Sequence, residues 1–356
     1  MSPSDWLGGD GTRYGRAVII ADEALKGTGR AMKPEHISKI PPDMFQAQTD
    51  RDLAKGLFKR HVDNVILELF DYCNRQCPYC PVSLVDRMSD INHISPDHFK
   101  KVVDDLIEID YANHICLNLY NEPMADPFLF TAIEQLRDAV PKASLWFNTN
   151  GDYANKETLD RLAEAGLKRL VVTLHVEKTK TYDDLQQLSR FTQFAARTGF
   201  NLTFERYKPG YAITVAGRHR GIVIKVKSAN YAVMGENRAG LMEDIPVAAK
   251  RNAPCDRPLG DFTVSWNGNV YPCRQFFSGL EGSDPYMVRN IGEADSIYQL
   301  YTSSLMSSFR TDLLGYGPKQ KPCDTCSEWD KYGGKEDERV RAAAVRLLGI
   351  DAKEAV

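Results

Sequence analysis

No stretch of this sequence approaches the roughly 18 consecutive apolar residues that a membrane-crossing helix needs. No internal repeat and no low-complexity run is present. Neither sign of charge dominates, since 45 Lys and Arg stand against 48 Asp and Glu for a formal net charge of −3. These absences exclude a disordered tail, a helical membrane protein and a strongly basic nucleic-acid binder. The first thirty residues hold a single short apolar run, Ala17 to Ile20, so no secretory or transit signal is readable and a cytoplasmic location is expected. In that compartment the eight cysteines stay reduced, which favours metal or cofactor ligation over disulfides.

With 356 residues, 43% of them hydrophobic, the chain can build one large α/β domain with an annex, or two domains. Residues 1–60 are polar, punctuated by Gly and Pro and weakly periodic, and read as an N-terminal extension packed on a larger body. From Asn64 a regular alternation begins. Val65 to Phe70 reads as a buried strand; after the Ser95 cap and Pro96, residues Phe99, Val102, Val103, Leu106 and Ile107 recur at helical spacing. The pattern continues as strand 114–119, helix 127–140, strand 144–148 and a helix from the Asn155 cap to the Gly166 stop. Strand 168–174, a helix near 182–197 and strands 201–206 and 221–227 follow. Short runs alternating with helices of about ten to fifteen residues imply a parallel sheet with helices outside it. Beyond residue 240 the pattern changes. Phe262 to Trp266, Asn267-Gly268 and Asn269 to Cys273 read as a two-residue type I′ hairpin, and a helical segment near 296–314 precedes Cys323. A domain boundary is expected near residues 242–254.

Cys73-Asn-Arg-Gln-Cys77-Pro-Tyr-Cys80 lies directly after the first core strand. Three thiolates within eight residues can hold one face of an iron–sulfur cube and leave one iron open for chemistry. A zinc knuckle on Cys77 and Cys80, completed by His93 or His98, is the alternative.

The cysteine spacing, with the aromatic Tyr79 just before the third cysteine, resembles the signature of the radical S-adenosylmethionine (SAM) superfamily. The resemblance implies a partial (β/α)6 TIM-like barrel over residues 61–241, carrying a 4Fe-4S cluster on Cys73, Cys77 and Cys80. Its open iron would chelate SAM, and reduction would yield a 5′-deoxyadenosyl radical. Tyr120-Asn121-Glu122-Pro123 is similar to the family's Gly-Gly-Glu-Pro, without the glycines, and places Glu122 beside the SAM amino group. Asn148-Thr149-Asn150-Gly151 resembles the strand-end element near the ribose, so Asn148 and Asn150 join the expected contacts. Thr173-Leu174-His175 stands where Ser-Leu-Asp is usual; Thr173 is assigned to the SAM carboxylate, His175 to the substrate side, and Arg190 as a further cation for that carboxylate.

A second set, Cys255, Cys273 and Cys323-Asp-Thr-Cys326, is similar to the twitch or SPASM-type auxiliary-cluster domain that follows many such barrels, and implies a small C-terminal domain over residues 242–356. The Gly268 turn returns the chain to Cys273. The full SPASM pattern would add cysteines where this chain has Tyr332 and Glu336. One auxiliary 4Fe-4S cluster with four protein ligands is therefore expected, for electron transfer or structural support, with a four-cysteine zinc site as the alternative.

Cys116 is left over. Period-two alternation puts Cys116, Asn118, Tyr120 and Glu122 on one face of their strand and Ile115, Leu117 and Leu119 on the other. The Cys116 thiol is either small core filler or a hydrogen-atom donor to a substrate radical. Lys225 and Lys227 share a face and would suit an anionic substrate, or else form a solvated edge. Asn237-Arg238-Ala239-Gly240 resembles a segment between barrel and annex, where Arg238 is a pocket residue or a boundary turn. Residues 1–60 look too short and irregular for a winged-helix-like peptide-recognition domain, which favours a small molecule such as a sugar, aminocyclitol or nucleoside intermediate of a specialised metabolite. The expected reaction is oxidation of a carbon bearing oxygen: hydrogen abstraction, deprotonation by His175, Glu205 or Arg206, and loss of an electron to the auxiliary cluster. Epimerisation with Cys116 or a tyrosine as donor, peptide or protein maturation, an iron–sulfur electron carrier and a zinc-stabilised binding module are the other readings. Flavodoxin or ferredoxin is the expected reductant, and neither nucleic acid nor membrane is an expected partner.

Overall fold

The computed structural model describes residues 39–176, 181–201, 203–245 and 250–326. The described chain enters through helix α1 (Arg51–His61), capped by the Asp50 side chain, which accepts from the Leu53 amide at 2.9 Å. This helix corrects the expectation of an irregular extension through residue 60. Its buried stripe is only Ala54, Leu57 and Phe58, too narrow among its charged neighbours to stand out as a period.

Strands β1 (Asn64–Leu67), β2 (His114–Cys116), β3 (Ser144–Thr149) and β4 (Arg169–Thr173) pair in parallel in chain order. Helices α2 (Pro96–Glu108), α3 (Phe128–Ala139) and α4 (Lys156–Ala165) connect them. The caps fall where the sequence places them: Ser95 accepts from the His98 amide, Asn155 from the Thr158 amide, and Gly166 stops α4 at φ 112°. Helix α5 (Asp184–Thr198) follows β4.

The strand after α5 departs from the expected order. β5 (Thr203–Lys208), β6 (Ala212–His219) and β7 (Ile222–Ala229) form an antiparallel meander, and it is β7 that lies parallel beside β4. The connections explain this. Only residues 209–211 join β5 to β6, and only Arg220-Gly221, both at positive φ (44° and 93°), join β6 to β7; such short links permit antiparallel pairing alone. β5 is thereby carried to the sheet edge.

On the other side, β8 (Asp261–Val264) pairs in parallel with β1, and β9 (Asn269–Tyr271) and β10 (Arg289–Asn290) extend the sheet antiparallel. The full order is β10-β9-β8-β1-β2-β3-β4-β7-β6-β5, with six parallel strands from β8 to β7. The sheet thus runs without a break from the expected barrel into the expected annex. The β8–β9 hairpin is present but not as type I′: Gly268 alone in its loop has positive φ (84°), its amide donates to Ser265, and the Ser265 amide donates to Asn269. That is a three-residue loop with a bulge at glycine. The helix expected over 296–314 is two, α6 (Ile297–Tyr301) and α7 (Ser304–Leu314).

Val65, Leu67, Ile115, Leu117, Leu145, Phe147, Leu170 and Val172 bury one sheet face in the main core with the helices. The intervening residues Ile66, Cys116, Trp146 and Val171 form a separate cluster on the opposite face, where a large cavity lies. Among the described residues no helix is long and apolar enough to cross a membrane.

Candidate active site

The loop leaving β1 carries Cys73, Cys77 and Cys80. The Cys73 amide donates to the Arg87 carbonyl at 3.1 Å and the Cys80 amide to the Cys77 carbonyl at 3.0 Å, and in this fold all three thiols line the large cavity. Burial raises all three, Cys73 to about 12, so as free thiols they stay protonated. The donor set fits a group that takes three thiolates and keeps one position open. The zinc candidates go elsewhere: His93 pairs with Asp126 at 3.2 Å, and His98 packs against Gly268 and Gly292.

The loop is braced from below by Glu68, which is fully buried. One carboxylate oxygen accepts from Arg87 at 2.7 Å and from the Tyr120 amide at 3.1 Å; the other accepts from the Ser265 hydroxyl at 2.8 Å. One side chain therefore ties the cysteine loop to β2 and to the β8–β9 hairpin. Nothing in the sequence marked it beyond its position at the end of β1.

Alternation places Cys116, Asn118, Tyr120 and Glu122 in the cavity wall as expected. Leu119 lines it too, contrary to strict alternation, because the regular strand ends at Cys116. The Glu122 carboxylate accepts from the Thr149 hydroxyl at 2.5 Å and from the Asn150 and Met124 amides at 2.7 and 3.1 Å; burial nevertheless raises its carboxyl to about 7. Asn148 and Asn150 are held by Asn118 and Asn74 (2.8 and 2.7 Å), and Thr173 lies on the same wall. The Tyr79 hydroxyl shares a 2.6 Å hydrogen bond with Nδ1 of His175, and its ring stacks on Tyr231 at 4.2 Å. Burial lowers the His175 imidazole to about 3, so it is neutral at pH 7.

Three expected residues do not reach the cavity wall. Arg190 donates instead to the His175 carbonyl. Glu205 and Arg206 lie on β5 at the sheet edge, Glu205 at a register shift where it pairs with Lys225 at 3.1 Å. The physical cause is the meander, which moved their strand outward. Lys225 and Lys227 do line the cavity, as does Arg238, which pairs with Glu236 at 3.1 Å and holds φ 50°. His219 and Arg220 bind Asp160 and Glu164 on α4, away from it. Sequence reasoning passed over Trp146 and Arg169 in the wall, although the alternation used for β2 would have found both on β3 and β4.

Cys255, Cys273, Cys323 and Cys326 line a second, smaller cavity with Pro258, Phe276 and Leu313 in its walls. The Cys255 amide donates to the Leu313 carbonyl at 2.7 Å, and the Cys326 amide closes a turn on Cys323 at 3.3 Å. The buried Arg251 guanidinium, donating to the Ala253 and Pro254 carbonyls, places positive charge beside them. Four thiols around an apolar cavity with an adjacent cation fit an anionic iron–sulfur cluster with no open position. Tyr332 and Glu336 lie outside the described residues. Arg257 borders both cavities.

The family model for the radical SAM superfamily matches residues 67–206, and that for the SPASM iron-sulfur cluster-binding domain matches residues 255–327. The S-adenosyl-L-methionine-dependent 2-deoxy-scyllo-inosamine dehydrogenase of Niallia circulans is 26% identical over 262 residues, which span 73% of this chain and 91% of that protein. The solved structure of BtrN in complex with AdoMet and 2-DOIA is similar with a TM-score of 0.53 at 21% identity, covering 75% of this chain and 93% of that one. That likeness is one of fold. A second BtrN structure, in an open conformation, covers 75% and 92% at 21% identity with a TM-score of 0.49.

Proposed function

We propose, from the premise that this chain carries a radical SAM domain and a C-terminal SPASM-like domain, that it is a dehydrogenase oxidising one hydroxyl-bearing carbon of a small polyol of the aminocyclitol or sugar class to a carbonyl. The observation that carries this reading is the adjacency of the two thiol sets, one lining the large cavity and the other the small cavity beside it. The Niallia circulans relative, by its name a dehydrogenase of 2-deoxy-scyllo-inosamine, supports the reaction type and the substrate class. When bound, SAM and the two 4Fe-4S clusters supply the redox chemistry, abstracting a hydrogen atom from carbon and accepting one electron afterwards.

The residues of this chain do the rest. Glu122, with Thr149 and Asn150, forms a hydrogen-bonded rim suited to the polar groups of SAM, next to the cysteine loop. As the alcohol becomes a carbonyl its hydroxyl proton must leave, and the acceptor needs to be uncharged or anionic. Of the three candidates only His175 lines the cavity, and its imidazole is neutral. Glu205 serves at one remove by holding Lys225, whose ammonium in the cavity wall is available to offset negative charge growing on the substrate oxygen. Lys225 and Lys227 also favour an anionic substrate. We place the boundary between the two units at residues 242–254, the enzyme in the cytoplasm, and a flavodoxin or ferredoxin as its electron source.

The test is anaerobic incubation of the reconstituted protein with SAM, a strong reductant and polyols deuterated at each carbinol carbon. One deuterium is expected in 5′-deoxyadenosine for each carbonyl formed. Absence of 5′-deoxyadenosine despite about eight bound irons would refute the enzyme and favour an electron carrier.

A further inference from the structure

Arg169 opens β4, and strand alternation turns Arg169, Val171 and Thr173 into the cavity. The residue is 7% exposed. Its Nε is buried without a hydrogen-bond partner, and among the described residues no carboxylate pairs with the guanidinium. The contact it makes is with the face of Trp146, 4.4 Å from the ring centroid. Four further guanidiniums line the same cavity, and of these Arg257 and Arg274 donate to Asp261, at 3.4 and 2.8 Å. Arg75 pairs with Asp152, Arg238 with Glu236 and Lys225 with Glu205. Of the cations lining the cavity, Arg169 and Lys227 have no carboxylate partner among the described residues, and Arg169 is the buried one.

Such a charge is costly to desolvate, and it is not needed to hold β4 in place, since the strand is paired on both sides. A planar guanidinium fork aimed into a cavity matches a phosphate or carboxylate. SAM is poorly placed to be that anion. Its expected contacts cluster at the other end of the strands, and Thr173 lies four residues beyond Arg169, about 13 Å along β4. Among the described residues the acids lining the cavity are Glu122, which is expected to serve the SAM amino group, and Glu236, which pairs with Arg238, so neither is left for an ammonium of the substrate.

We propose that the substrate of this enzyme is an anionic polyol, whose phosphate or carboxylate group docks on Arg169 against Trp146 at the N-terminal end of the strands while the carbon to be oxidised points towards the cysteine loop. This deepens, and rests on, the polyol dehydrogenase reading. The subsite sets specificity: within the aminocyclitol and sugar class it selects members that carry a phosphate or carboxylate, the group that compensates Arg169.

The test is equilibrium dialysis of the SAM-loaded, cluster-reconstituted protein against myo-inositol 1-phosphate, glucuronate and neutral myo-inositol. At least one anionic probe is expected to bind about tenfold or more tightly than myo-inositol, and the stronger of the two tells phosphate from carboxylate. Arg169→Gln should remove that preference and Arg169→Lys restore part of it. Arg169→Met should raise the melting temperature of the ligand-free protein while abolishing anion binding, whereas a merely structural arginine would lower it. Equal binding of all three probes, an undiminished preference in Arg169→Gln, or competition of SAM with the anionic probe for one site would overturn the proposal. Because binding is read without turnover, a lack of SAM cleavage would reject the dehydrogenase reading separately.

Discussion

Replacing Glu68 by Gln removes the charge that holds the cysteine loop. The carboxylate is fully buried, and Arg87, its partner at 2.7 Å, is 4% exposed. The amide would keep the shape but leave the Arg87 guanidinium uncompensated against the Phe277 ring, 4.1 Å from its centroid. It would also turn an N–H towards either Arg87 or the Ser265 hydroxyl and Trp266 amide, groups that now donate to the carboxylate. Breaking a buried ion pair from one side costs about 3–5 kcal/mol. At roughly 2–3 °C per kcal/mol for a chain of this size, the melting temperature should fall by about 6–15 °C. The assay is thermal unfolding of the cluster-free protein, followed by circular dichroism under reducing conditions, beside iron retention after reconstitution. Because the cost lies in the orphaned partner, the double variant Glu68→Leu/Arg87→Met should recover at least half of the loss. A fall of less than about 2 °C in the single variant, or a double variant no better than the single, would refute the argument.

Four further outcomes are expected. Cys323→Ala should leave some SAM cleavage but stop carbonyl formation, as read by mass spectrometry; unchanged product would remove the second thiol set from the electron path. Cys116→Ala should keep oxidation, with no solvent deuterium entering the substrate in the wild type; deuterium incorporation lost in the variant would point to epimerisation instead. Gly268→Ala meets both a φ of 84° and a clash of its Cβ with the His98 imidazole, so it should cost more than about 1 kcal/mol in denaturant unfolding, and a neutral result would mean the loop is not built as described. Burial lowers the His61 imidazole to about 4. The native state therefore binds fewer protons than the unfolded chain between that value and the unperturbed 6.5, so the contribution is full above 6.5 and is lost as pH falls towards 4. His61→Gln should flatten that part of the stability profile, and an unaltered slope would count against it.

Much of the site was legible because the chemistry is local. Three cysteines within eight residues follow one strand whatever surrounds them, and the Ser95 and Asn155 caps need only their own first turn. Alternation found the inward face of β2 for the same reason, and it would have found Arg169 had it been applied to β4. It failed at Leu119, where the strand had already ended. Glu205 and Arg206 were misplaced because strand identity does not reveal strand order: two short connections turned β5 outward and gave its place beside β4 to β7.

What the sequence determined by itself was the set of chemical groups and the local elements that present them, since ligand spacing, caps and side-chain periodicity depend on covalent neighbours. What only the tertiary structure decided was company. It brought Cys255, Cys273, Cys323 and Cys326 around one cavity, set Glu68 between Arg87 and Ser265, and left Arg169 without a carboxylate among the described residues. Each of these depends on contacts between segments distant in the chain, and such contacts arise only when burial of the sheet's apolar faces draws those segments together.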